Sequence, residues 1–158
     1  MRKLTFALSV ALLATVLVPA AVSAAWPVAS RSSYVSTWYS SSHPAIDIAA
    51  PQGTRVVPIG NGTVVFAGWK SNCGGYQVWV RNHDVYSAYY HLSRINVHAG
   101  QAVTGQMTTL GLVGRTGCAT GPHTHVEIWT HYPWASGSHR VNPWPYIDKG
   151  YYVPLRYM

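Results

Sequence analysis

The sequence predicts an all-β fold made of antiparallel sheets. Short runs of β-forming residues alternate with glycine and asparagine turns, and no long stretch has the period of an amphipathic helix. The runs have the length of ordinary strands in antiparallel sheets. The candidate strands are Ala45 to Ala49, Arg55 to Ile59, Thr63 to Trp69, Gln77 to Asn82, Ser87 to His91 and His123 to Thr130.

The N-terminal segment has the features of a signal peptide. Basic residues at Arg2 and Lys3 precede an apolar run from Leu4 to about Ala21, and Val22-Ser23-Ala24 supplies the small residues that a signal peptidase reads. We expect residues 1–24 to be removed after Ala24, which predicts a secreted or cell-envelope protein without stable membrane association. An uncleaved anchor is the alternative, because the apolar run is near the lower length of a membrane span.

The rest of the chain is enough for one domain with a core of its own. Residues 25–42 are rich in Ser, Tyr and Trp, and we expect an irregular N-terminal arm there. Residues 43–131 hold the candidate strands and form the expected core. Prolines at positions 133, 143, 145 and 154 argue against a long helix in residues 132–158, which we expect to pack on the core as a C-terminal extension.

The chain is basic, with a net charge of +7 that falls to about +5 when Arg2 and Lys3 leave with the signal peptide. Such a charge favours an anionic partner. The basic side chains are scattered along the sequence rather than clustered, so a nucleic-acid partner is disfavoured relative to an anionic cell wall.

Two short histidine motifs suggest a metal site. His43 precedes Asp47, one of only four acidic residues, by four positions, and His123 and His125 are two apart. On an extended strand each pair would project from one face of the sheet. Two imidazoles and one carboxylate would give zinc three protein ligands and leave a fourth position for water, as in catalytic sites. The alternative is that each histidine is a separate surface or turn residue.

The segment from His43 to Trp129 resembles the lysostaphin-like zinc endopeptidases, family 23 of the metallopeptidases, which cut peptide bonds in bacterial cell-wall peptidoglycan. Four ordered motifs carry the resemblance. They are His43-x-x-x-Asp47-Ile48-Ala49-Ala50-Pro51-x-Gly53-Thr54, Gly62-Thr63-Val64-Val65-x-Ala67-Gly68, Tyr90-His91-Leu92-Ser93 and Thr116-Gly117-x-x-Thr120-Gly121-Pro122-His123-x-His125.

The resemblance implies a sandwich-like single domain of antiparallel β-sheet with a groove that holds one zinc ion per chain. It makes His43, Asp47 and His125 the zinc ligands, and His91 and His123 catalytic residues that are not ligands. The implied reaction is hydrolysis of a peptidoglycan peptide bond by a metal-activated water, and we expect a monomer.

One departure from the family pattern bears on the groove. Gln77 follows Gly74-Gly75-Tyr76 where a further glycine is common, so we expect this loop to have its own shape and to affect substrate preference.

Further residues are candidates for roles near the site. Tyr39 closely precedes His43 and is a candidate oxyanion stabiliser. Glu127 shares the parity of His125, and is either an acceptor for a ligand imidazole or an exposed residue paired with an arginine. Trp79 and Trp129 are more simply packing residues, and surface positions are expected for His83, His98, His131 and His139.

The only cysteines, Cys73 and Cys118, lie in glycine-bearing loops of a chain predicted to be exported. Export permits a disulfide between them, and two unpaired thiols are the alternative. In the fold that the resemblance implies, both loops border the groove.

The sequence thus predicts a zinc metalloendopeptidase acting on peptidoglycan. A catalytically silent wall-binding or hydrolase-activating module on the same fold is the alternative, and a metal-storage protein ranks third. A D-alanyl zinc carboxypeptidase is disfavoured, because its usual ligand spacing is wider than that of His43 and Asp47. The resemblance does not identify the bond that is cut, because glycine cross-bridges, D-alanyl to diaminopimelate cross-links and stem peptides all suit the family.

Overall fold

The structure, a computed structural model, describes residues 26–147. The predicted signal peptide and the end of the C-terminal extension lie outside the described residues. Within them the chain forms eleven strands and one short 3₁₀ helix, which confirms the predicted all-β fold. No helix in this part of the chain has the length and apolar character needed to cross a membrane.

The strands are β1 Tyr34–Thr37, β2 Ile46–Ala49, β3 Arg55–Val56, β4 Gly62–Lys70, β5 Gly75–Asn82, β6 Val85–Leu92, β7 Arg94–Ile95, β8 Ala102–Val103, β9 Gly111–Leu112, β10 His123–Trp129 and β11 Arg140–Val141. The 3₁₀ helix spans Trp144–Tyr146.

The strands form two antiparallel sheets. The large sheet has the order β1-β2-β10-β6-β5-β4-β8, with β11 also paired to β10, and the small sheet has the order β3-β9-β7. Buried side chains from both sheets join in one apolar cluster, which includes Val56 of the small sheet and Val126 and Ile128 of β10. This cluster is the main core.

The other face of the large sheet carries a smaller aromatic cluster of Trp79, Ala88, Tyr90 and Trp129. Successive residues of a strand point to opposite faces, so Val126 and Ile128 enter the main core while His125, Glu127 and Trp129 share the second face. The pleat of β10 therefore places Val126 and Ile128 in the main core and His125 and Glu127 on the opposite face of the sheet.

The structure differs from the sequence-based expectations at several boundaries. The expected irregular arm contains β1, which pairs with β2, and the strand expected from Arg55 to Ile59 ends at Val56. Two-residue strands such as β7, β9 and β11 are too short for periodicity to reveal. In the C-terminal extension, Trp144 and Ile147 pack against the main core.

Candidate metal centre

Strand pairing in the large sheet assembles the centre. β10 lies between β2 and β6, and its His125 is directly opposite Asp47 on one side and Tyr90 on the other. Directly opposed residues have closely spaced side chains. His125 Nδ1 is accordingly 2.7 Å from Asp47 Oδ1, although 78 residues separate the two in sequence.

His43 reaches the same point from a turn rather than from a strand. It precedes β2, and its backbone N–H donates to the carbonyl and the hydroxyl of Ser40. The parity argument therefore does not apply to His43. The turn nevertheless places its Nε2 3.3 Å from Asp47 Oδ1 and its ring edge-on to that of His125, with centroids 5.0 Å apart.

His43, Asp47 and His125 form a group suited to a metal ion. Each offers one ligand atom, and these atoms all lie within 4.8 Å of one another. His43 Nε2 is buried and makes no hydrogen bond, even with Asp47 Oδ1 at 3.3 Å, and a buried polar atom without a hydrogen bond is costly unless something binds it. Two imidazole nitrogens and a carboxylate oxygen are a donor set that zinc accepts, so the residues present fit that metal.

The electrostatics of the group favour a cation. Burial raises the pKa of Asp47, but its hydrogen bond to His125 and the nearby histidines outweigh that effect and hold the pKa below its ordinary value. Burial lowers the pKa of His125, whereas its contacts with Asp47 and Glu127 raise it to about 9. The carboxylates of Asp47 and Glu127 thus stabilise a positive charge at His125, and either a proton or a metal ion can supply that charge.

His91 and His123 lie beside this group with their tautomers fixed. Their ring centroids are 4.8 Å apart. His91 Nδ1 is 2.8 Å from the Thr116 carbonyl, and His123 Nδ1 is 2.9 Å from the Gly121 carbonyl. A carbonyl only accepts, so each Nδ1 must donate, and each neutral ring carries its lone pair on Nε2.

His91 is held in an uncommon backbone conformation. Its φ of 62° lies in the left-handed region, which non-glycine residues rarely adopt. Its N–H donates to the Gly74 carbonyl, and the side chain is almost fully buried. Burial lowers the pKa of His91 to about 4 despite the Thr116 hydrogen bond, so the imidazole is neutral near pH 7 and its Nε2 carries a lone pair.

Glu127 contacts both a ligand imidazole and an arginine, two roles that the sequence left as alternatives. It is buried rather than exposed, and its Oε1 lies 3.4 Å from His125 Nε2 and accepts a 2.9 Å bond from Arg140. Its Oε2 accepts hydrogen bonds from the Tyr90 hydroxyl and the Trp129 indole. Burial raises the pKa of Glu127, but these donors and His125 outweigh it and hold the pKa below its ordinary value.

Sequence reasoning missed two of the residues that hold Glu127. Tyr90 stands next to His91 in a motif, which was a usable signal. Arg140 lies outside every motif and reaches Glu127 only because β11 pairs with β10, so no local pattern could have identified it.

The remaining candidates lie as follows. Tyr39 is in the loop between β1 and β2 and is 36 % exposed. Trp79 and Trp129 are buried, as expected for packing residues, and surface positions are found for His83, His98, His131 and His139.

The sulfur atoms of Cys73 and Cys118 lie at bonding distance, 2.11 Å apart. The pair joins the β4–β5 loop to the segment whose Thr116 carbonyl orients His91. A backbone hydrogen bond of 2.9 Å from Cys118 N–H to the Cys73 carbonyl runs beside it. The two loops therefore support one wall of the small cleft, of about 190 Å³, which His91, His125 and Glu127 also line.

Comparison with known proteins gives a consistent set of matches. Residues 41–143 match the family described as Peptidase family M23. The peptidoglycan DD-endopeptidase ShyA of Vibrio cholerae is 41 % identical over 87 residues, which are 54 % of this chain and 20 % of that protein. Lysostaphin of Staphylococcus simulans is 34 % identical over 113 residues, 70 % of this chain and 22 % of lysostaphin. This chain thus spans about a fifth of the length of these relatives.

A solved structure has the same fold. The crystal structure of a putative peptidase M23 from Pseudomonas aeruginosa superposes with a TM-score of 0.66 at 31 % identity, covering 82 % of this chain and 52 % of the other.

Proposed function

The chain belongs to peptidase family M23, and from this membership we propose that it is a zinc-dependent endopeptidase that hydrolyses peptide bonds of bacterial cell-wall peptidoglycan. The observation that carries the proposal is the convergence of His43, Asp47 and His125, with the buried Nε2 of His43, which makes no hydrogen bond, among them. The relative named as a peptidoglycan DD-endopeptidase supports the substrate class.

In this proposal His43, Asp47 and His125 hold one zinc ion. Zinc supplies Lewis acidity, which makes water a competent nucleophile near neutral pH and polarises the scissile carbonyl. The three side chains are between 14 % and 24 % exposed, so they are sheltered but open to a substrate in the groove.

His91 and His123 perform the proton chemistry. Because their Nδ1 atoms are engaged by backbone carbonyls, both Nε2 atoms are available to take the proton of the attacking water. The one that has received the proton can then donate a hydrogen bond to the developing oxyanion or pass the proton to the leaving amine. Tyr39 is proposed as an additional oxyanion donor.

Glu127 positions His125. Its carboxylate faces His125 Nε2 and is itself held by Tyr90, Trp129 and Arg140. Such partners orient a ligand imidazole and increase its basicity. We further propose that the mature protein acts as a monomer outside the cytoplasmic membrane after residues 1–24 are removed.

The test is digestion of purified walls with different cross-link types by the protein lacking residues 1–24, with and without a chelator. New amino termini are identified by mass spectrometry, and bound metal is measured in parallel. We expect cleavage that the chelator abolishes and zinc restores. His125→Ala should lose both bound zinc and cleavage, whereas His98→Ala, an exposed histidine outside the centre, should lose neither.

Two outcomes would contradict the proposal. Full zinc content in His125→Ala would overturn the ligand assignment. Binding to walls without any new amino termini would favour the catalytically silent wall-binding module instead.

A further inference from the structure

A second, larger cleft lies next to the metal centre. Its volume is about 720 Å³, within the range of roughly 300–1,000 Å³ typical of sites for drug-sized ligands. Aromatic rings and a few polar side chains form its walls, and we call it the aromatic cleft. Its lining residues are Trp69, Lys70, Ser71, Asn72, Trp79, Tyr132, Pro133, Trp134 and Ala135.

This cleft adjoins the small cleft at the proposed catalytic centre. Asn72 and Trp134 line both the aromatic cleft and the small cleft that contains His91 and His125. A polymer bound across the metal centre would therefore extend into the aromatic cleft. The shared walls favour another part of the same substrate as the occupant of the aromatic cleft.

Two of the three tryptophans that line the cleft are unusually exposed. Trp69 is 54 % exposed and Trp134 55 %, although burying such rings is strongly favourable. Trp134 also has a φ of 68°, a conformation that bulky residues rarely adopt. Both rings line the same cleft, and exposed aromatic surface gathered in a cleft favours a binding site.

The chemistry of the cleft suits a sugar better than an apolar peptide. A pyranose ring has one face of C–H groups, which pack against the negative face of an indole, and an edge of hydroxyl and amide groups. Ser71 and Asn72 offer polar atoms at the rim. Lys70 Nζ lies over the Phe66 and Trp79 rings, 4.8 and 5.1 Å from their centroids, and has no ion-pair partner among residues 26–147.

The loop that carries these polar residues is shaped by the departure from the family pattern at Gln77. Gln77 is fully buried; its amide donates to Asn72 Oδ1 at 3.0 Å and accepts from the Trp79 indole at 2.9 Å. A glycine at this position could make neither bond. Gln77 therefore links the rim of the cleft to its floor.

We propose that the aromatic cleft is a glycan subsite, which holds N-acylated amino-sugar units of the wall polymer while the attached peptide lies at the metal centre. The inference rests on the proposed function for its choice of substrate. It predicts that glycan-bearing wall fragments bind more tightly than the same peptide without sugar.

The test compares binding and turnover. Binding of a soluble β-1,4-linked N-acetylglucosamine oligomer is measured by calorimetry for the wild type and for Trp69→Ala, whose ring lines the aromatic cleft but not the small one. We expect Kd to rise by about 3- to 10-fold, the range that one aromatic contact contributes. Lys70→Gln should also weaken binding, and Tyr146→Ala, an exposed aromatic elsewhere, should not.

Turnover separates a subsite from a general structural effect. On glycan-bearing wall fragments, Trp69→Ala should raise KM by a similar factor with little change in kcat. On a glycan-free cross-linked peptide its kinetics should match those of the wild type.

Three results would overturn the glycan assignment. The first is failure of the wild type to bind the oligomer, and the second is equally tight binding by Trp69→Ala. The third is that an acidic stem peptide without sugar binds in a way that depends on Trp69. Oligomer binding that depends on Trp69 would support the assignment even if neither substrate were cut, and that result would count against the endopeptidase proposal only.

Discussion

The Cys73–Cys118 pair gives a prediction whose magnitude follows from the structure. The two cysteines are 45 residues apart in sequence. In the chain-entropy model, closing a loop of this length lowers the entropy of the unfolded chain enough to stabilise the fold by about 4 kcal/mol. Replacing both cysteines with serine should therefore lower the free energy of unfolding by about that amount.

Urea denaturation measures this change. With an m-value of about 2 kcal/mol/M, typical of small proteins, the midpoint should fall by roughly 2 M. The m-value itself should rise, because the unfolded chain without the bridge exposes more surface.

The metal centre should survive the loss of the bridge. Thr116 is held independently, because its hydroxyl donates to the Leu92 carbonyl at 2.7 Å and accepts from Tyr76 N–H at 3.1 Å. The Thr116 carbonyl therefore stays in place for His91, and zinc content and most of the turnover should be retained.

Two results would refute this reasoning. The native wild-type protein should resist alkylation and lack the two thiol hydrogens by mass, so free reactive thiols would exclude the bridge. An unchanged urea midpoint in the serine variant, with an intact bridge in the wild type, would show that loop closure does not stabilise this chain.

The other predictions concern the centre itself. His91→Ala and His123→Ala should each keep bound zinc but lose about 10²- to 10⁴-fold in rate on walls, and near-normal rates in both would refute their catalytic role. Glu127→Gln should weaken zinc affinity by roughly 10- to 100-fold, measured by competition with a chelator, and unchanged affinity would remove its positioning role. The pKa of Glu127 in the folded state lies below its ordinary value of 4.5. The ionised carboxylate therefore stabilises the fold above that pH, and this contribution is lost on acidification. The difference in unfolding free energy between wild type and Glu127→Gln should accordingly shrink below about pH 4.5. Tyr39→Phe should lower kcat by about 10²- to 10³-fold with little change in KM if its hydroxyl stabilises the oxyanion, and an unchanged kcat would exclude that role.

Much of the fold could be predicted from local patterns. Alternation and turn residues identified the long strands, as in β5, where Val78 and Val80 enter the main core and Trp79 the opposite cluster. These signals are local, because side-chain period and turn chemistry depend on neighbouring residues. The two-residue strands β7, β9 and β11 were missed because two residues cannot display a period.

The sequence by itself named the candidate ligands and catalytic histidines, because the four motifs that carry the family resemblance consist of neighbouring residues and can be read without a structure. Only the tertiary structure decided how they meet. Sheet order and register place His125 between Asp47 and Tyr90 and bury Glu127 against Arg140. His43 reaches the centre from the turn before β2. The same holds for the aromatic cleft, whose walls come from the β4–β5 region and from residues 132–135. Contacts between such distant segments depend on which strands pair and in what register, and no local pattern encodes that choice.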